Sequence, residues 1–442
     1  MRKIIYLVFI FGMVLFSCSD NNSPQEDEMP PVTPEQPEQP SEPENPDAYI
    51  SKLPRLSVQG KYLKNESGKV VNLHGFTQTY SPYFNNNAWS GYDVQGCLEY
   101  NKKMVDGILA AGWKMNFVRM HLDPYWSDDP SKQSVRYEGH ERFNETRFKK
   151  YLDELFIPMA KYFVSKGFYV VMRPPGVCPD NQEKPDGTKY QGIAVGDSYH
   201  TFLKRVWGIL SQNDYIKNNT DIMFELANEP VAILGTDGNY AHWTDGAFQS
   251  ATKFFQEVIE VIRNNGCTAN VIWVPGLCWQ QQYKGYAKYR LKDNNMGFAV
   301  HCYPGWYGSD CEESTGEGGG SAWKPTSRGY ESFKKGWDEN VGCVAEFAPI
   351  MVTEIDWAPA KYDATWGKGS TGTAGGLGFG ANFKKIADES GNVSWLFFTT
   401  RSHELASFKD VHGTEGNYTF LNDPEACPWA IYHWFKEYAE AE

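Results

Sequence analysis

The stretch FKKYLDELFIPMAKYFVSKGFYVVMR, residues 148–173, contains one period of the fold. Its first part places apolar residues at helical spacing. Gly167 stands where such a helix would be capped, and Phe168–Met172 is a short apolar run of strand length. The theme recurs along the chain. Helical spacing returns in EYNKKMVDGILAAGW and in DGAFQSATKFFQEVIEVIRNNG, the latter again closed by Gly. Runs that read as buried strands fall at Val70–Leu73, Met115–Met120, Phe168–Met172, Asp221–Leu226, Asn270–Val274, Gly297–Val300, Ile350–Thr353 and Val393–Phe398. Eight buried strands, most of them alternating with amphipathic helices, predict a parallel sheet, and eight is the number that closes a barrel. The expected fold is therefore a (β/α)8 TIM barrel with long βα loops, the likeliest insertions being 174–200, 303–330 and 357–380. A hairpin around Asn65–Gly68 is expected to lead into it. An open doubly wound sheet is the competing arrangement, but the turn after the first run, LHGFTQTYSP, lacks the glycine-rich phosphate fingerprint of that fold.

Composition narrows the function. The chain has 442 residues, a net charge of −13 and 15% aromatic residues. No Lys/Arg cluster of the kind that neutralises phosphates is present, so nucleic acid is excluded as a partner and a neutral ligand fits better. Flat rings suit the apolar faces of sugars, although a large aromatic core would use them too. The first residues, MRKIIYLVFIFGMVLFSCSD, have a basic start and an apolar run too short to span a membrane comfortably. They resemble a bacterial lipoprotein signal, 1–18, whose Cys18 is lipidated. Residues 19–50 contain NNSPQEDEMPPVTPEQPEQPSEPENPDA, with eight prolines, eight acids and no Lys or Arg. Such a segment cannot bury a core and is expected to be a disordered tether, able at polyproline rise to reach about 80 Å. Residues 51–442 are then the catalytic body of an exported lipoprotein at the outer membrane or surface of a Gram-negative cell. It would meet a membrane only through the lipid on Cys18, and it is read as a monomer. No CxxC pair, CxxC…HxxxH spacing or HExxH occurs, so neither a metal nor a cofactor is expected.

The chemistry is carried by FELANEPV, residues 224–231, an apolar run that ends in Asn228-Glu229-Pro230. Active sites of such barrels gather at the C-terminal strand ends, where Glu229 would stand. Strand alternation turns Glu225 into the barrel, where a buried carboxylate needs a partner; Arg119 in NFVRM is the candidate. A second strand-end carboxylate, Glu354, closes APIMVTEIDW three βα units further on. Two carboxylates facing each other across a barrel mouth are what glycoside hydrolysis requires. Glu346 in VAEFAP is the competing nucleophile, but it falls at the close of a helical stretch.

These residues resemble glycoside hydrolase family five and its clan of retaining barrels. The likeness is carried by FELANEP with Asn228 and Glu229, by HCYPGW with His301 and Tyr303, by VTE with Glu354, and by FVR with Arg119. It implies that Glu229 is the general acid/base and Glu354 the nucleophile. It further implies that Asn228 meets the sugar 2-hydroxyl, that Tyr303 hydrogen-bonds the nucleophile and that His301 orients the acid. The chain also departs from the family pattern. VVMRPPGVCP puts Arg173 about where the family has a histidine, and Phe398 stands where it has a sugar-stacking tryptophan, which would move that platform to Trp395 or Trp306. Trp89, Tyr125, Trp126, Trp279 and Trp357 are further aromatic candidates after strand ends. The expected activity is that of an endo-β-1,4-glucanase acting on β-glycan polysaccharide or oligosaccharide. An endo-β-mannanase or exo-β-glycosidase would share the framework. A non-catalytic glycan-binding lipoprotein would not need both carboxylates.

Overall fold

The computed structural model describes residues 51–78, 92–122, 140–184, 186–303, 305–309, 328–355 and 379–397. The expected signal with Cys18 and the tether lie outside the described residues, as do Trp89, Tyr125, Trp126, Trp357 and Phe398. Eight parallel strands close into a barrel: His74–Gln78, Phe117–His121, Tyr169–Arg173, Ile222–Glu225, Ile272–Pro275, Met296–His301, Ile350–Glu354 and Val393–Phe397, strands one to eight. Each pairs with its neighbours in chain order, and strand eight returns to strand one. Helices such as Val94–Ala110, Ile157–Ser165, Ser198–Leu210, Asp245–Asn264 and Phe379–Ser390 connect them, so the protein is a (β/α)8 TIM barrel.

Local chemistry explains where these helices begin and end. Asp197 and Thr244 cap the helices that follow strands three and four, accepting from the N–H groups of His200 and Ala247. Gly167 and Gly266 close the helices before strands three and five with φ of +90° and +76°. At the first, Gly167 N donates to Val164 O and Phe168 N to Phe163 O, the paired bonds that satisfy the last carbonyls of a helix. Trp113, Trp207, Trp273, Trp337 and Trp395 are all fully buried, so much of the aromatic content belongs to the core.

Strand one differs from the sequence expectation. The apolar run Val70–Leu73 is not in the barrel; Val70 makes an isolated antiparallel bridge with Lys64. The hairpin pairs Leu56–Gln59 with Tyr62–Asn65, so its turn falls at Gly60 rather than at Asn65–Gly68. The Asn65 side chain instead accepts from Ser67 N and Lys69 N and folds the next segment back on the hairpin. The less apolar HGFTQ takes the barrel position because Gly75 allows the close approach: a Cβ there would lie 1.9 Å from the Phe117 carbonyl oxygen.

Candidate active site

The strands' C-terminal ends bring distant residues into one connected cluster. Arg119, inward on strand two and fully buried, is its centre. Its Nε and Nη2 donate to Glu225 Oε2 and Oε1 at 2.6 and 2.9 Å, a bidentate grip on a carboxylate that is itself wholly buried. Its Nη1 donates to Glu354 Oε1 at 2.7 Å and its Nη2 also to Asn228 Oδ1 at 2.7 Å. Thr353 adds a hydroxyl to Glu225 Oε1 at 2.9 Å. One guanidinium therefore sets the positions of three acceptors from strand ends four and seven. Burial opposes its charge, but Glu225 and then Glu354 more than offset this and push its pKa up.

Glu354 is nearly buried. Its second oxygen accepts from the Tyr303 hydroxyl at 2.6 Å and lies 3.4 Å from His301 Nδ1. Burial alone would raise its pKa; the charges of His301 and Arg119 and the hydrogen bonds of Tyr303 and Arg119 prevail and hold it at about 2. This carboxylate stays ionised. The register places it there, because a bulge between Val300 and His301 brings His301 opposite Glu354.

Glu229 follows strand four with φ of +54°, a left-handed backbone uncommon for a residue with a side chain. Its side chain is 26% exposed, against 8% for Glu354. His301 Nδ1 lies 3.0 Å from Glu229 Oε1. Facing only carboxylate oxygens, that nitrogen must carry the ring proton. One oxygen of Glu229, His301 Nδ1 and one oxygen of Glu354 lie within 4.8 Å of one another, so these three side chains could also hold a metal ion.

Of the residues named from sequence, Arg119, Asn228, Glu229, His301, Tyr303 and Glu354 come together in this cluster. Trp306 packs edge-on to Tyr303, centroids 5.0 Å apart, and is half-buried at the same strand end. Trp395 does not join them. It is 1% exposed and packs against His74 and the helix residue Phe383, so no sugar could stack on it. Its position in mid-strand, paired with Val352 and His74, puts it in the core below the mouth. Glu346 is exposed at the end of the short helix Cys343–Ala345, away from the cluster.

Arg173 is one step removed. Its Nη1 donates to the carbonyls of Pro174 and Gly176, and its Nη2 meets Nδ1 of His121 at 2.5 Å. His121 is a site residue that the sequence reading missed, although it shares a strand face with Arg119, two residues earlier. Burial, then the charges of Arg173, Arg119 and His301, push its pKa well below the usual histidine value. The neutral ring accepts from Arg173 at Nδ1, so Nε2 carries the proton. Of its two neighbours there, Arg119 Nη1 at 3.3 Å and Thr77 Oγ1 at 3.4 Å, only Thr77 can accept. Gln280 was also missed, and nothing in the local sequence marks it.

Paired carboxylates at C-terminal strand ends of an eight-stranded barrel, one locked as an anion, are the equipment of a glycoside hydrolase. The family model of the cellulases, glycosyl hydrolase family 5, matches residues 65–356, and the chain belongs to that family. Among solved structures it is similar to a β-glucanase from Saccharophagus degradans in its native form, at 16% identity and TM-score 0.53, covering 89% of this chain and 95% of that one. The same β-glucanase in complex with cellotetraose gives a TM-score of 0.54 over the same coverage. A cellulase is similar at 14% identity and TM-score 0.50, covering 90% of this chain and 94% of that one. At these identities the likeness is one of fold.

Proposed function

We propose that this glycoside hydrolase cleaves β-1,4-linked glucan from within the chain, with retention of anomeric configuration. Glu229 would act as acid/base and Glu354 as nucleophile. The observation that carries the reading is the closeness of the pair, with an oxygen of each within 4.8 Å and the protonated Nδ1 of His301 beside both. Carboxyl groups about 5–5.5 Å apart suit a covalent intermediate, whereas inversion needs about 6.5–9.5 Å to admit a water.

In the first step Glu354 Oε2 attacks the anomeric carbon as the glycosidic bond breaks, and the Glu229 carboxylic acid gives its proton to the departing oxygen. In the second, the Glu229 carboxylate takes a proton from water. That water attacks the anomeric carbon and expels Glu354 as a carboxylate again. His301 can follow the exchange, because its N–H reaches either acid. Asn228, its Oδ1 taken by Arg119, would offer Nδ2 to the sugar 2-hydroxyl. Trp306 beside Tyr303 would supply an apolar face. A β-1,4-glucan is favoured because a β-glucanase of this fold holds cellotetraose.

The test is proton NMR of the first product released from soluble β-glucan, β-mannan and xyloglucan. The expected outcome is β-anomer appearing first, fastest on β-glucan and with internal cleavage. A first-formed α-anomer would overturn the nucleophile assignment, and preference for β-mannan or release of single terminal sugars would overturn the substrate assignment.

A further inference from the structure

The loop after strand five contains a run of strained backbone with no counterpart elsewhere among the described residues. Cys278, Trp279 and Gln280 have φ of +53°, +55° and +60°, three consecutive left-handed residues, none of them glycine. Each is unfavourable relative to the right-handed form for a residue with a Cβ, so the run persists only where the surroundings impose it. The surroundings are the segment that carries Glu229. Cys278 N donates to Val231 O at 2.9 Å and Trp279 N to Pro230 O at 3.1 Å. The third rung is reversed: Glu229 N donates to the side-chain Oε1 of Gln280 at 2.8 Å. The two segments thus run antiparallel, 231 against 278, 230 against 279 and 229 against 280.

The left-handed run turns the Gln280 side chain into the barrel, where it is wholly buried. Its Nε2 faces Ala299 O at 3.3 Å and Glu225 Oε1 at 3.4 Å. Only this orientation of the amide is consistent, because two acceptors lie on one side and a donor on the other. The main chain of Gln280 is held too, its carbonyl accepting from the Tyr283 hydroxyl at 3.0 Å. One carboxamide therefore joins the backbone of Glu229, the strand that carries His301 two residues beyond Ala299, and the buried carboxylate that grips Arg119.

We propose that Gln280 is a positioning residue for the acid/base. By accepting the Glu229 N–H it holds that residue in its left-handed conformation, which aims the carboxyl at His301 Nδ1 and the scissile oxygen. This rests on the reading of Glu229 as acid/base. The consequence is selective. A misplaced acid harms the expulsion of poor leaving groups, whereas a leaving group that departs without protonation is spared.

The experiment compares kcat/KM on cello-oligosaccharides with kcat/KM on an aryl β-cellobioside bearing a dinitrophenyl leaving group, in wild type and in Gln280→Met. Expected is a loss of about 10- to 100-fold on the oligosaccharide, against a change of about threefold or less on the aryl substrate. The ratio is read within one sample, so a fall in the folded fraction cancels. Gln280→Glu, of equal size, supplies a second reading. Its added oxygen faces Ala299 O and Glu225, so the ratio should fall as in Gln280→Met at neutral pH. It should recover in part on acidification, when the introduced carboxyl can donate as the amide did. Equal losses on both substrates, or an unchanged ratio in both variants, would overturn the role of Gln280. A wild type inactive on both substrates would instead overturn the β-glucan reading beneath it, and a Glu229→Ala variant that keeps full activity on the oligosaccharide would overturn the acid/base reading.

Discussion

The strand-four and strand-seven ends each deliver a carboxylate to the same small volume, by opposite means. Glu354 is the last residue of its strand, and its position follows from ladder register and from the register shift opposite His301. Its oxygens are taken by Arg119 and Tyr303, and it is nearly dry. Glu229 lies beyond the end of its strand, on left-handed backbone braced by a second left-handed run from the next loop. Its side chain is partly open to solvent. The proposed nucleophile is thus built into the barrel beside the Arg119 cation. The proposed acid/base stands outside the ladder, its backbone N–H bonded to a side chain of the neighbouring loop.

The largest effect should separate the two ends outright. Glu354→Ala should abolish turnover of every substrate, with azide rescue giving an α-glycosyl azide, because the anion then replaces the nucleophile. Glu229→Ala should lose about 10²–10⁴-fold on cello-oligosaccharides. It should still form the glycosyl-enzyme from a dinitrophenyl substrate, and azide should yield the β-product. Glu346→Ala should match wild type. An α-azide from the Glu346 variant with an active Glu354 variant would break the comparison.

Next comes the shared cation. Arg119→Leu leaves Glu225 and Glu354 buried without their counter-charge, which should cost about 3–5 kcal/mol of stability by denaturant unfolding. A stability change under about 1 kcal/mol would mean that the cluster is not held by this ion pair.

The smallest effect concerns pH. Glu354 is held at about 2, below its ordinary value of 4.5, so its ionised form contributes stability that is fully present above 4.5 and is lost as pH falls toward 2. Any acid limb of kcat/KM set by this group should likewise lie below the usual carboxylate range. Tyr303→Phe removes one donor to the anion and should move the acid limb up by about one to two pH units. An unmoved limb would show that the hydroxyl does not share in holding the charge.

Much of this site was legible in the chain. Residues that end strands, or that alternate along them, have their direction set by local geometry: Glu225 could be placed by alternation, Arg119 as the partner its buried carboxylate needs, and Glu354 by closing its strand. The helix ends at Gly167 and Gly266 were readable for the same reason, since a capping glycine acts on its own turn. Trp395 was misjudged because a tryptophan suits a core as well as a sugar face, and only its register against Val352 and His74 decides between them. Val70–Leu73 misled because apolar content does not reveal that Gly75 alone permits the approach to Phe117.

The sequence by itself determined the barrel, through the period of its apolar runs, and the identity of the two carboxylates, through their place at strand ends. Only the tertiary structure decided the backbone conformation that carries the proposed acid. The left-handed conformations of Glu229 and of Cys278–Gln280 are unfavourable in isolation, so no local propensity announces them. They exist because each segment supplies the hydrogen-bond partners of the other, and the two are neighbours only once strands four and five lie side by side.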